Sequence, residues 1–285
     1  MRFLNSGRVR SNMELAASHL LGERPPPSCL KKSFITAMNR AQSTTIQTLP
    51  DDVYVEFDNP ALVDYLVKRA VFSAGTVANG IYLPESERVQ VRNNIEAARH
   101  LINQIDPHLN HLITSLVGSV AAYRIPDRAG GTVSCCIGLI WLSPSQKWNV
   151  QYYAEMLVHE FVHNSVFLED MVHGVMPNPT LLEHEKALTI SVIRKTRRPY
   201  DKALHSACVA AALMYFYHRL GDESAAETYL APMRHTIREL YEHDNELHEQ
   251  GLDLLADNGR QIINDLQRFI EGPNYAIIHD ALASQ

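Results

Sequence analysis

Apolar residues recur at close to the 3.6-residue helical period from Glu85 to Ile105, at Val89, Val91, Ile95, Ala98, Leu101, Ile102 and Ile105. Pro84 stands just ahead, where a helix start tolerates proline. The Arg24–Ser28 stretch, with three consecutive prolines, reads as a loop between two earlier helices. The middle of the chain changes character. Val117–Ile125 and Thr132–Leu142 are rich in β-branched and apolar residues around a turn-like Pro-Asp-Arg-Ala-Gly-Gly stretch, which predicts two strands of a long-looped hairpin. Ser143-Pro144-Ser145 ends the second strand, and a helix is predicted from about Trp148 to Leu168. Breaks at Pro177–Pro179 and Arg197-Arg198-Pro199 frame two more helices, over Thr180–Ile193 and from about Asp201 to Leu220. Amphipathic spacing at Ala226, Leu230, Met233, Ile237 and Leu240, then at Ile262, Ile263, Leu266 and Phe269, predicts one or two further surface helices. The expected fold is α+β, mostly helical, with a small antiparallel sheet. No long linker interrupts residues 1–285, so one compact domain is expected: a helical part to 110, a core over 111–220 and C-terminal helices over 221–285.

Composition narrows the class without naming a chemistry. The chain has 285 residues, 46% of them hydrophobic and 20% charged, as a globular protein has. A net charge of -6 argues against nucleic acid or an anionic membrane as a partner. The longest apolar runs, Val133–Leu142 and Ala207–Tyr217, fall short of the ~20 residues a bilayer span needs. No apolar h-region follows the first residues, so no secretory signal is expected. The four cysteines (Cys29, Cys135, Cys136, Cys208) form no CxxC pair and suit neither a zinc ribbon nor a disulfide framework. A reduced, cytoplasmic protein is the expectation.

The chemistry-bearing signal is His159-Glu160-Phe161-Val162-His163. Two histidines four apart on a helix lie about 40° from each other around the axis, so both rings can bind one ion. The glutamate between them can reach a metal-bound water. The helix is apolar almost all round (Tyr153, Ala154, Met156, Leu157, Val158, Phe161, Val162, Val166, Phe167), and a buried helix must give its histidines and glutamate partners. Two core histidines satisfied by backbone or carboxylates are the bland alternative. A strand directly before such a helix adds weight to the metal site, because zincin-like folds keep a substrate-binding edge strand there.

The third ligand is open. An HExxHxxGxxH pattern needs Gly at 166 and His at 169, and the chain has Val166 and Glu169. Glu183 follows His163 at a spacing that gluzincin peptidases use, although Leu182 and Ala187 depart from the thermolysin-like pattern and Glu183 could equally be a solvated carboxylate. His205 stands in an apolar run from Ala203 to Tyr217 and wants a partner; Asp201, one turn earlier, could cap its helix or orient its ring.

His159–His163 followed by Arg198-Pro199-Tyr200-Asp201-Lys202-Ala203-Leu204-His205-Ser206-Ala207 resembles the HExxH-motif peptide-modification family, whose downstream stretch reads R-P-L-x-G-x-L-H-[GA]. The Arg-Pro pair, the Leu-His pair and their spacing agree; Tyr200 and Lys202 replace the usual Leu and Gly. The resemblance covers about 150–220. It implies a zincin-like core and an Fe(II)- and 2-oxoglutarate-dependent β-hydroxylase of ribosomally made peptides. His159, His163 and His205 would bind iron, Arg198 would hold a 2-oxoglutarate carboxylate, and Glu160 would be a base or positioning group. Three protein ligands on one face of Fe(II) leave room for a bidentate 2-oxoacid and dioxygen. A planar guanidinium suits the carboxylate, with Arg194 and Arg197 as competitors of Arg198. The implied partner is a peptide substrate, and the acidic balance is compatible with a basic leader segment. The alternatives are a zinc peptidase with Glu160 as base and Glu183 as third ligand, and a non-catalytic peptide-binding module.

Overall fold

In the computed structural model, which describes residues 1–284, the two strands predicted around the Gly-Gly turn lie side by side but run the same way. The helices are α1 (Ser6–Leu21), α2 (Leu30–Gln42), α3 (Pro60–Lys68), α4 (Ala74–Ala78), α5 (Glu85–Ile105), α6 (Pro107–Leu116), α7 (Val150–His173), α8 (Tyr200–Leu220), α9 (Glu223–Glu227), α10 (Leu230–Glu249), α11 (Asp257–Ile270) and α12 (Tyr275–Ala283). The strands are β1 (Tyr54–Glu56), β2 (Ser119–Ala122), β3 (Gly130–Gly131), β4 (Leu139–Leu142), β5 (Thr189–Ile190) and β6 (Arg197–Arg198). The chain is mostly helical, as expected. It packs as two compact units: a sheet unit, Arg10–Phe167, and a helical unit, Met1–Val9 with Leu168–Gln285. The boundary between the units, at residue 167, falls within α7.

In the sheet unit the strand order is β1-β2-β4-β3. β2 is parallel to both β1 and β4, and only the two-residue β3 is antiparallel, on β4. The sheet is therefore mixed, which corrects the antiparallel hairpin expected from the sequence. The physical reason is the length and content of residues 123–138. A parallel pair needs a crossover of about a dozen residues or more. Here Gly130-Gly131 first runs back along the end of β4, a 3-10 turn follows at Ser134–Cys136, and Gly138 at φ +97° turns the chain so that β4 starts level with β2. A Cβ at Gly138 would come within 2.6 Å of Ile35 Cδ1, and one at Gly131 within 2.6 Å of the Trp141 indole. All residues of β2 and β4 are buried, as in strands covered on both faces.

α5 covers Glu85–Ile105 with Pro84 at its N-cap, and α6 is capped by the Asp106 carboxylate, which accepts from the His108 and Leu109 N–H groups at 2.8 and 3.3 Å. Lys31 of α2 is buried, donates to the Asp52 carbonyl and lies beside Arg99 of α5, itself ion-paired to Asp52. Burial first, and the Arg99 charge second, lower the Lys31 pKa to about 8 against a smaller pull from Asp51. Because the unfolded chain binds this proton more tightly, the cost of the buried ammonium is complete below pH 8 and fades as pH rises toward the ordinary lysine value of ~10.4. Lys31→Met is therefore expected to be more stable than wild type at pH 7, by about 1–2 kcal/mol, with the gap closing by pH 10. Urea unfolding of both proteins across that range checks it; a gap constant with pH would refute it.

In the helical unit, α8 is buried from Ala203 to Tyr217 and ends on Gly221 at φ +82°, the left-handed residue that closes many helices. α10 and α11 pack on α8, burying Met233, Ile237 and Leu240, and Ile262, Ile263, Leu266 and Phe269. The region after Glu223 holds α9 to α12 among the described residues, more helices than the one or two expected. The helix expected over Thr180–Ile193 is absent. That stretch forms two 3-10 turns and β5, which pairs antiparallel with β6. β-branched Thr189 and Ile190 favour the extended form, and partners fix it: the Ile190 N–H donates to Glu239 at 2.8 Å and its carbonyl accepts from the Thr236 hydroxyl at 2.7 Å.

Candidate metal centre

Within the sheet unit, α7 carries the motif. Its residues Tyr153, Ala154, Leu157, Val158, Phe161, Val162 and Val166 are all buried, which is why so apolar a segment folds as a core helix. His159 and His163 are half-buried on one stripe, with Nε2 atoms 3.3 Å apart and ring centroids 5.1 Å apart. Phe167, one turn on, stacks on His163 at 6.4 Å. Two imidazoles on a tetrahedral ion with metal–nitrogen bonds of ~2.0–2.1 Å have nitrogens ~3.3–3.4 Å apart. Adjacent positions of an octahedral ion at ~2.2 Å give about 3.1 Å. An N–H of one ring could also donate to the other, but such bonds centre near ~2.9–3.0 Å. At 3.3 Å the pair has the span of two ligands of one ion and is also within reach of a ring-to-ring hydrogen bond.

Glu160, between them in sequence, is 4% exposed, and its Oε2 has no hydrogen-bond partner among the described residues. Burial raises its carboxyl to about 8, opposed by a hydrogen bond with Thr132. A buried carboxyl with an unsatisfied oxygen one residue from the histidine pair is a group that a nearby cation or water would complete. These residues fit a metal. Among the described residues no set of three or more His, Cys, Asp or Glu side chains is gathered as a metal cage.

Sequence reading missed what holds this stripe in place. Asn164 is fully buried; its Oδ1 accepts from the Gly138 N–H at 2.7 Å, and its Nδ2 donates to the carbonyls of Leu139 at 3.2 Å and Glu160 at 3.3 Å. The Thr132 hydroxyl donates to the same Glu160 carbonyl at 3.2 Å. The signal available beforehand was an amide inside an apolar helix, which must find partners.

The other named residues belong to the helical unit. His205 is 2% exposed on α8, and burial, opposed by Asp201, lowers its pKa to about 4, so the ring is neutral, the form a metal requires. Asp201 pairs with Lys202 at 2.9 Å. Glu183 lies exposed in the turn between the two 3-10 segments, which corrects the expectation of a helical ligand position. Of the three arginines, Arg197 is engaged with Glu239 at 3.3 Å and with the Leu188 carbonyl at 2.7 Å, and Arg194 is exposed. Arg198 is half-buried on β6, and no side-chain bond to it is found among the described residues. Glu169, where an HExxHxxGxxH protein has its third histidine, is gripped by Arg8.

No protein-family model matches the chain, and no curated protein matches it. The functional reading therefore stands on these residues. No helix of the described residues is long and apolar enough to cross a membrane.

Proposed function

We propose that the chain is an Fe(II)- and 2-oxoglutarate-dependent oxygenase that hydroxylates a side chain of a peptide. The observation that supports a metal is the 3.3 Å separation of the His159 and His163 Nε2 atoms on a buried helix. Those rings hold the ion, with His205 as third ligand on the strength of the Leu204-His205 pair, where the chain resembles the peptide-modification motif. Arg198 holds the 2-oxoglutarate carboxylate; it is the half-buried arginine of the cluster and has no carboxylate engaged in its own unit, whereas Arg197 is committed to Glu239. An iron held there, with dioxygen as oxidant and 2-oxoglutarate as the co-substrate that is converted to succinate and CO2, would supply the chemistry that hydroxylates carbon. Glu160 positions the site from within hydrogen-bonding reach of Thr132. A peptide substrate is supported by β3, which ends its sheet and has β4 as its strand neighbour among the described residues, since a sheet edge is a place where extended chains can pair. The zinc-peptidase reading loses ground because its third ligand, Glu183, is an exposed turn residue.

An anaerobic titration with Fe(II) and then 2-oxoglutarate tests the reading without knowledge of the substrate. A visible charge-transfer band is expected on adding 2-oxoglutarate, lost in His205→Ala and needing roughly 10-fold or more 2-oxoglutarate in Arg198→Met, since a charge-assisted pair contributes ~1.5–3 kcal/mol. No band, with zinc held tightly instead, would overturn it.

A further inference from the structure

We infer that Asn164 is the positioning residue of the metal centre: its amide fixes the rotation of α7 on the sheet and so the direction in which the His159–His163 stripe points. The inference rests on the metal reading above and concerns the sheet unit alone. A helix advances about 100° per residue, so Glu160 and Asn164, four apart, share one face, and His159 and His163 share the next. The Asn164 face is fastened to the sheet at several points. Its Oδ1 takes the Gly138 N–H at 2.7 Å, and its Nδ2 reaches the Leu139 carbonyl at 3.2 Å and Thr132 Oγ1 at 3.4 Å. Thr132 in turn donates to the Glu160 carbonyl one turn back.

The far side of this clamp is also fixed. The Gly138 carbonyl accepts from the Gly118 and Ser119 N–H groups at 2.8 and 3.3 Å, at the start of β2. The left-handed Gly138 thus hands the position of the sheet to Asn164 through its N–H, and Asn164 hands it to the helix. Apolar packing of Val158, Phe161 and Val162 holds α7 down but tolerates small rotations, because such contacts are non-directional. Directed bonds from one amide do not. Displacing two imidazoles by a few tenths of an ångström around a short metal bond changes affinity and coordination geometry, which is how residues behind metal ligands commonly act.

The test uses the full chain, with Co(II) as the probe. Asn164→Leu, which keeps the branched shape but not the amide, is expected to lower Co(II) affinity about 10- to 100-fold and to shift the visible ligand-field bands. Asn164→Asp, which keeps an acceptor for Gly138 but has no donor, and Thr132→Val should fall between it and wild type. Ile95→Ala, a core truncation in α5 of the same unit, controls for stability: it should lower the unfolding midpoint of the apo-protein and leave Co(II) affinity unchanged. If Asn164→Leu does not fold, Asn164→Asp and Thr132→Val decide. Folded Asn164 variants with wild-type affinity and spectrum would overturn the inference while leaving the metal reading intact. A wild-type chain that binds no Co(II) would overturn both.

Discussion

His163→Ala is expected to weaken metal binding by a factor on the order of 10²–10³ while leaving the apo-protein folded. Binding of a tightly held divalent metal to a protein site is worth ~10–16 kcal/mol, so one ligand of three or four carries ~3–4 kcal/mol. His163 is half-buried on a helix whose hold on the core comes from Val158, Phe161, Val162 and Val166, none of which the substitution touches. The folded state should therefore change by less than ~1 kcal/mol. Competition against a chromophoric chelator, with calorimetry on the apo-protein, separates the two effects. His159→Ala should match it, because both rings stand at equal reach of one point. Equal affinity in wild type and either variant would mean that the 3.3 Å pair is a core hydrogen bond and not a ligand pair.

Arg8→Met is expected to destabilise the protein by about 3 kcal/mol. In the helical unit the Arg8 guanidinium meets the Glu169 carboxylate through Nε at 3.2 and 3.1 Å and through Nη2 at 2.7 Å. Glu169 is 1% exposed, whereas the Arg8 side chain is 30% exposed. Removing the arginine takes the bidentate guanidinium from a buried carboxylate, and the loss of that compensation dominates the cost. The value sits at the low end of the range because Arg8 keeps contact with solvent. Arg8→Met with Glu169→Leu should recover most of the loss, since an apolar pair carries no desolvation penalty. Urea denaturation of the single and double variants checks this. A double variant as unstable as the single one would show that packing, and not charge, is what Arg8 provides.

Wherever structure is set by a local period, it was legible in the chain. α5 was read to its limits and α8 to within one residue, and α7 was found although it runs five residues beyond the expected end. The His159–His163 stripe was equally legible, because residues four apart on a helix meet whatever surrounds them. The open choice among Arg194, Arg197 and Arg198 needed more, since the three share composition and neighbourhood and differ only in what lies beside them: Glu239, forty-two positions after Arg197, takes that guanidinium.

By itself the sequence determined a mostly helical chain with a paired-histidine helix at its centre, because the 3.6-residue period and i, i+4 contacts are properties of a segment taken alone. Only the tertiary structure decided the direction of the strands, the exposure of Glu183 and the anchoring of α7. β2 and β4 have the same composition whether they run parallel or antiparallel; the reversals at Gly130-Gly131 and Gly138 choose between the two. Thr180–Ile193 contains good helix formers, yet pairing with Arg197-Arg198 and bonds to Thr236 and Glu239 hold its end extended. Asn164 gains its role only because the Gly138 N–H and the Leu139 carbonyl arrive opposite it. Each of these depends on backbone groups distant in sequence, whose hydrogen-bonding needs are met only once the chain has folded.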